Sequence, residues 1–220
     1  MLVYDTGPAF GQFSSGGDII VPLLRARGIR RIDRLILSHS DSDHAGGWSG
    51  LAAALTVDET WVSPGHLLAL PTVTCRTGQC WIWDGVEFEI LSPITNARGS
   101  RNDLSCVLKI TAPGGSVPLP GDIERATEAR LVAGLSPRLA ADILIAPRHG
   151  SATSSSGPFV RVVAPRLVLF AAAYNNRFDF PRSQVVTRYL ESGADLLMTE
   201  IEGAIEINIA ERLEIPRSYR

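Results

Sequence analysis

The chain has one lysine, Lys109, only three cysteines and four histidines, and no long apolar run. Each scarcity excludes something. Positive charge falls almost wholly to arginine, a bias that genome composition produces as readily as function. With Lys plus Arg at 21 against Asp plus Glu at 23, the formal net charge is -2. That balance excludes a strongly basic nucleic-acid binder, so any contact with a polyanion must rest on local patches or bound cations rather than on net field. No segment approaches the roughly 20 apolar residues that cross a bilayer. Met1-Leu2-Val3-Tyr4 runs straight into Asp5-Thr6-Gly7 with neither a charged n-region nor an apolar h-region, so no export signal is expected in this sequence. Cys75, Cys80 and Cys106 are odd in number, and the Cys-x4-Cys spacing of the first two has no second pair to make a zinc finger. They read as core or loop residues, with a Cys75 to Cys80 disulfide open to them in an oxidising compartment.

What is present describes a folded α/β chain. At 220 residues and 45% hydrophobic, the sequence supports one domain over residues 1–220, with no repeat, linker or low-complexity tract. Apolar runs read as strands at 2–4, 33–38, 59–62, 86–91, 105–111, 117–119, 143–146, 167–170, 196–199 and 205–209. Helix-like segments alternate with them at 19–27, 47–55, 124–132, 158–163 and 184–191, with Ser183 as a cap for the last. Gly, Pro, Ser and Asn gather at 11–17, 92–102, 113–116 and 150–157, which read as loops.

The chemistry concentrates in Ser38-His39-Ser40-Asp41-Ser42-Asp43-His44-Ala45-Gly46-Gly47, which follows the apolar run Leu35-Ile36-Leu37 and precedes a helix-like segment. A divalent cation needs several nitrogen and oxygen donors converging at about 2 to 2.5 Å, and a strand-to-helix loop can aim alternate side chains at one point. His39, Asp41, Asp43 and His44 are therefore read as metal ligands. Two carboxylates this close also repel unless a cation sits between them. The remaining histidine outside any such pattern, His66, reads as a loop residue.

This segment resembles the His-x-His-x-Asp-His signature of the metallo-β-lactamase superfamily, with Asp41 where the second histidine usually stands. That variant is typical of the C-terminal hydrolase domains of ComEC-like competence proteins. Asp5-Thr6-Gly7, Leu119-Pro120-Gly121-Asp122 and Ile145-Ala146-Pro147-Arg148-His149-Gly150-Ser151 resemble the family's further motifs in the right order. So do Trp81-Ile82-Trp83-Asp84-Gly85-Val86, Asn102-Asp103-Leu104-Ser105-Cys106-Val107-Leu108 and Asn175-Asn176-Arg177-Phe178.

The resemblance implies a four-layer αββα sandwich. It implies a hydrolase with up to two divalent ions, zinc or manganese, the hard oxygen of Asp41 widening the choice. His39, Asp41 and Asp103 would hold the first ion and Asp43, His44 and His149 the second, with Asp122 between them and Asp5 in support. Asp43, His44 and Asp122 are the catalytic expectation, with Asp43 orienting a water. Ser151, Thr153, Ser154, Arg148 and Arg177 are candidates for phosphate contact. The implied substrate is single-stranded DNA during uptake, at the outer face of the inner membrane, beside a membrane channel domain in the same or a neighbouring chain.

The sequence also departs from the pattern. Phe180-Pro181 stands where ComEC-like domains commonly carry His-Pro, and Arg148 replaces the first histidine of His-His-Gly. Neither side chain can ligate a metal, which predicts a weaker first site. The family's opening Leu-Asp-Val-Gly-Gln-Gly strand has no counterpart before Met1, so the first sheet is expected to lack a strand. Two alternatives therefore stand beside the nuclease: a hydrolase of another ester or a lactam, and a metal-poor module retained for assembly with a channel. The arginines at 25, 27, 30, 31 and 34 read first as a solvated helix end and loop, and second as a track for a DNA backbone.

Overall fold

The computed structural model describes residues 1–219 and forms two compact units, one of residues 1–76 with 93–106, the other of residues 77–92 with those from 107 onward. The first unit contains β1 (Leu2–Tyr4), the hairpin of β2 (Ala9–Phe10) and β3 (Phe13–Ser14), and a π-helical turn at Gly16–Ile20 continuing into α1 (Val21–Ala26). Then come β4 (Arg31–Leu37), the single turn α2 (Ser42–Ala45), α3 (Trp48–Ala54), β5 (Thr56–Val62) and β6 (Val73–Thr74). Strands β1, β4, β5 and β6 pair in that order in one parallel sheet.

Leu35, Ile36 and Leu37 are consecutive and all buried, the mark of a central parallel strand that is apolar on both faces. Leu35 and Leu37 pack with Val3, Val21, Leu24, Leu51 and Val62. The first half of β5 is more exposed, and its acids meet the arginines of β4. Arg31 pairs with Asp58 at 2.6 Å, and Arg34 pairs with Glu59 at 2.6 Å while lying 4.2 Å over the Trp61 ring. Arg25 donates to the Ala54 carbonyl at 2.9 Å. These members of the arginine group make structural pairings, and Arg31 and Arg34 lie on β4 rather than on a helix end or loop.

A disulfide joins Cys75 to Cys106 across 31 residues, with Cα atoms 5.7 Å apart. The Cys75–Cys80 pairing that the sequence left open does not form; Cys80 is free and exposed. Tertiary folding decides this. The Cys75 N–H is held by the Val62 carbonyl at the end of β5, and the Cys106 N–H by the Ser38 carbonyl at the end of β4, both at 2.9 Å.

The second unit begins with β7 (Cys80–Trp83), β8 (Val86–Ser92), β9 (Val107–Ala112) and β10 (Gly115–Leu119), an antiparallel sheet in the order β10-β9-β8-β7. Strand β7 was not expected from periodicity. Asp84 and Gly85, at φ 49° and 79°, make the tight turn that folds it onto β8, and Trp81 stacks on its cross-strand partner Phe88 at 5.2 Å. After α4 (Arg125–Leu135), a parallel sheet is built from β11 (Ile143–Ile145), β12 (Leu167–Phe170) and β13 (Asp195–Met198). Helices α5 (Gly157–Val163) and α6 (Ser183–Glu191) intervene. Ser183 is the first residue of α6 rather than its cap; Arg182 holds that position without a side-chain cap bond. The turn α7 (Thr199–Glu202) and the hairpin of β14 (Ala204–Glu206) and β15 (Arg217–Tyr219) complete the unit.

Phe159, Phe170 and Tyr189 form the heart of its core, with the last two rings edge to face at 5.9 Å. Glu128 on α4, 0% exposed, accepts the N–H groups of Ser155 and Ser156 at 2.5 and 2.8 Å. The Tyr189 hydroxyl donates to Ser155 Oγ at 2.9 Å, and Arg188 donates to the Ser155 carbonyl at 2.6 Å. A buried carboxylate needs such donors to remain in an apolar core. Here they fix the shape of the 151–156 loop.

Candidate functional site

In the first unit, the loop after β4 leaves the carboxyl end of the sheet's central strand, where parallel sheets present their reactive groups. Asp5, at φ 60°, follows β1 on the neighbouring strand, and its carboxylate gathers three donors. They are the Ser38 N–H at 2.7 Å, the Ser38 hydroxyl at 2.8 Å and His44 Nδ1 at 2.7 Å. An ionised carboxylate only accepts, so His44 must carry its proton on Nδ1 and turn a lone pair outward at Nε2. The same logic extends to His39. Ser38 gives its single proton to Asp5 and so accepts from His39 Nδ1 at 3.0 Å, leaving His39 Nε2 as the donor atom.

The two imidazoles lie with centroids 4.2 Å apart. Each Nε2 faces a carboxylate oxygen, Asp41 at 3.7 Å from His39 and Asp43 at 3.9 Å from His44. Two imidazole nitrogens beside two carboxylates are a chemically suitable set for a divalent cation such as zinc or manganese.

Backbone contacts hold this loop in place. The Thr6 N–H and hydroxyl both donate to the His44 carbonyl, at 2.7 and 3.0 Å, and the Gly47 N–H donates to the Gly7 carbonyl at 2.9 Å. A Cβ on Gly47 would lie 2.4 Å from the Thr6 carbonyl oxygen, so only glycine permits this approach. The Asp5-Thr6-Gly7 and Gly46-Gly47 motifs are thus two sides of one backbone contact. Asp41 also pairs with Arg101 at 3.0 Å, and the Asp103 carboxylate accepts from the Ser100 hydroxyl at 3.2 Å. Motif reading gave Arg101 no role. Burial pushes the His66 imidazole below its ordinary pKa, against the opposing pull of Asp5.

The second unit carries its own donors. Asp122, buried just beyond β10, places a carboxylate oxygen 3.7 Å from His149 Nε2. His149 sits at φ 54° in the turn at Pro147–Gly150, and its Nδ1 is 2.7 Å from the Ala171 carbonyl, which can only accept. Its Nε2 is therefore the outward lone pair as well. The Arg148 N–H donates to the Gly121 carbonyl at 3.1 Å, tying the His149 turn to the Asp122 loop.

Among the residues expected to meet phosphate, Ser154 is corrected by the structure. It is 0% exposed and gives its hydroxyl to the Ile123 carbonyl at 2.8 Å, so it ties the loop to the Asp122 segment instead of facing a substrate. Ser151 is also buried, 3.2 Å from the Thr153 hydroxyl. Thr153 is exposed and accepts from Arg148 at 2.8 Å, and Arg148 forms an ion pair with Glu124. Arg177 is exposed, with its guanidinium 4.6 Å over the Phe178 ring. Phe180 stacks beside His149 with centroids 6.4 Å apart, an apolar neighbour to that donor.

Residues 2–169 match the family described as the metallo-beta-lactamase superfamily. The chain belongs to that superfamily. Its fold agrees: the metallo-beta-lactamase fold protein YhfI from Bacillus subtilis aligns with a TM-score of 0.54 at 13% identity, covering 90% of this chain and 83% of that one. The CmlA β-hydroxylase E377D mutant aligns at 0.55 and 13% identity, covering 90% and 48%. This superfamily domain is also similar to Competence protein ComA of Neisseria gonorrhoeae, 33% identical over an alignment of 224 positions that covers 99% of this chain and 31% of that protein. It is 32% identical over 219 residues to Recombination protein 2 of Haemophilus influenzae, covering 99% and 27%. With ComE operon protein 3 of Bacillus subtilis it shares 28% over 217 residues, covering 91% and 28%. The chain spans less than a third of the length of these relatives. No helix among the described residues is long and apolar enough to cross a membrane.

Proposed function

We propose that this metallo-hydrolase domain is a metal-dependent phosphodiesterase that cuts single-stranded DNA during uptake. The observation that carries the reading is the pre-set pair of imidazoles, whose Nδ1 atoms are occupied by Asp5 and Ser38 and whose Nε2 atoms face the Asp43 and Asp41 carboxylates. In this reading His39, Asp41, Asp103, Asp43 and His44 in the first unit would hold divalent metal, and Asp122 and His149 are the metal ligands that the second unit would supply. Bound zinc or manganese supplies Lewis-acid stabilisation of developing charge on phosphoryl oxygens and lowers the pKa of water.

The chain's own groups do the rest. Asp43, half-exposed at the first turn of α2, orients the attacking water and accepts its proton. Asp5 keeps His44 in the tautomer that presents Nε2. Arg177, Thr153 and Arg148 contact phosphate, Arg148 by exchanging Glu124 for the substrate.

The similarity to competence proteins supports DNA as substrate. The disulfide between Cys75 and Cys106 supports an oxidising compartment, and with it the outer face of the inner membrane. The partner in this reading is a membrane channel domain, in the same or a neighbouring chain.

The test is elemental analysis of protein purified without chelator, beside the Asp43→Ala/His44→Ala double variant, with manganese-dependent cleavage of single-stranded DNA measured on both. Near-stoichiometric metal and cleavage, both lost in the variant, support the reading. Protein that stays metal-free with manganese or zinc supplied refutes it in favour of an assembly module. Metal-loaded protein that cleaves a lactam or carboxylic ester but no DNA refutes it in favour of the other hydrolase.

A further inference from the structure

The segment joining β12 to α6, residues 171–182, exposes aromatic rings where a solvated loop would ordinarily be polar. Tyr174 is 84% and Phe178 49% exposed. The rings are also ordered. Phe178 and Phe180 stack at 5.5 Å with planes 21° apart, and Phe180 and His149 lie at 6.4 Å with planes 25° apart. A column of near-parallel rings thus runs from solvent to the donor His149. Guanidinium groups flank it, Arg177 at 4.6 Å from the Phe178 centroid and Arg182 at 5.9 Å from that of Phe180. Arg182 also pairs with the exposed Asp179 at 3.1 Å, a surface contact that a phosphate can displace.

The loop is closed on itself before any ligand arrives. Asn176 Nδ2 donates to the carbonyls of Ala173 at 3.1 Å and Phe180 at 2.7 Å, and its Oδ1 accepts the Phe180 N–H at 3.0 Å. The Arg182 N–H donates to the Gly150 carbonyl at 3.0 Å, joining the loop to the His149 turn. A Cβ on Gly150 would meet Pro181 at 2.7 Å and Phe170 at 2.8 Å, so the two segments are in close contact. These bonds tie the backbone that carries Phe180 to the His149 turn, and a loop already closed by its own hydrogen bonds has less entropy to lose on binding.

We propose that this column is a base-stacking subsite for single-stranded DNA. On binding, the exposed Arg177 guanidinium leaves the Phe178 face for a phosphate, an unpaired base takes its place on the ring, and Arg182 holds the phosphate on the other side. Aromatic faces beside guanidinium groups suit a polymer that alternates flat apolar rings with anionic links. A single strand offers its bases to such a surface; in a duplex they are paired and stacked inside. The inference rests on the phosphodiesterase reading for its purpose, since it seats a nucleotide next to His149, but its test is binding alone.

Two strands of equal length are compared by fluorescence anisotropy with the 220-residue chain, in chelator and at low fixed salt: a labelled oligothymidylate and a labelled strand of the same phosphates bearing abasic sugars. Phosphate attraction is common to both, so the ratio of their affinities isolates stacking. The expected ratio favours oligothymidylate by about 5- to 150-fold per stacked base. Phe178→Ala brings it near one, whereas Phe178→Trp keeps or raises it. Ile82→Ala, which trims an exposed residue on β7, keeps the wild-type ratio and controls for general loss of apolar surface. A wild-type ratio near one, or a Phe178→Ala ratio equal to wild type, overturns the subsite. A high ratio in a protein that cleaves no phosphodiester with manganese sustains the subsite and removes only the hydrolytic reading.

Discussion

Replacing Asp5 by Asn should weaken divalent-metal affinity by about 10- to 100-fold while leaving the fold intact. Asn is the informative choice because Asp5 sits at φ 60°, a conformation that Asn tolerates well. The substitution therefore removes charge and acceptor capacity without straining the backbone. The carboxylate now accepts at 2.7 Å from Ser38 N–H, at 2.8 Å from the Ser38 hydroxyl and at 2.7 Å from His44 Nδ1. An amide has one oxygen for these three donors, and its NH2 group repels whichever it faces. If the amide nitrogen turns to His44, the imidazole must move its proton to Nε2, the atom assigned to the metal. If it turns to the Ser38 N–H, that backbone donor loses its acceptor, while the oxygen keeps the Ser38 hydroxyl and His44 Nδ1 but no longer carries a charge. Either way one imidazole loses its anionic support, and loss of such a partner costs about 10- to 100-fold in metal affinity, or roughly 1.4 to 2.7 kcal/mol. Isothermal titration with manganese and with zinc measures the change, and urea unfolding of the metal-free proteins separates it from global stability. Metal affinity within twofold of wild type, alongside a clear loss of stability, would reduce Asp5 to a structural tie and refute the tautomer argument.

Other outcomes follow from the same structure. The Cys75→Ser/Cys106→Ser pair frees a loop spanning 31 residues, and chain entropy sets the stability loss at about 3.7 kcal/mol. Urea midpoints of this pair against Cys80→Ser, which should stay near wild type, check it, and a loss under about 1 kcal/mol contradicts the estimate. Ser154→Ala removes the bond to the Ile123 carbonyl and should cost about 1 kcal/mol of stability with no change in KM for DNA; a raised KM at unchanged stability would return Ser154 to the substrate. Burial holds the Glu128 carboxyl above its ordinary range, so its folded pKa exceeds its unfolded one. Its contribution is then fully present below the unfolded pKa and declines as pH rises through the folded value. The stability advantage of wild type over Glu128→Gln should accordingly be greatest in acid and narrow with rising pH, and an advantage that widens would contradict the assignment.

Much of this protein was legible before folding because the decisive features are local in the chain. The candidate ligands His39, Asp41, Asp43 and His44 lie on one loop directly after a three-residue apolar run, so strand, loop and candidate set could be read together. Most buried strands announced themselves as Val, Ile and Leu runs. The four-residue β7 did not, because its half-buried tryptophans are stabilised by Phe88 across the sheet rather than by a periodic pattern of their own. Family motifs located Asp122 and His149 but said nothing of which imidazole nitrogen faces outward.

That last question was decided only in three dimensions, as were all contacts between residues far apart in sequence. Asp5 and His44 are separated by 39 residues, and their bond selects a tautomer. Cys75 has Cys80 close by in the chain yet bonds Cys106, because the ends of β4 and β5 bring those two backbones together. Ser154 has the composition of a phosphate-binding loop but turns inward, since the Ile123 carbonyl takes its hydroxyl and Glu128 caps the two N–H groups that follow. Composition and local pattern set which groups are available. Hydrogen bonds are short-ranged and directional, so which groups meet depends on the path of the folded backbone.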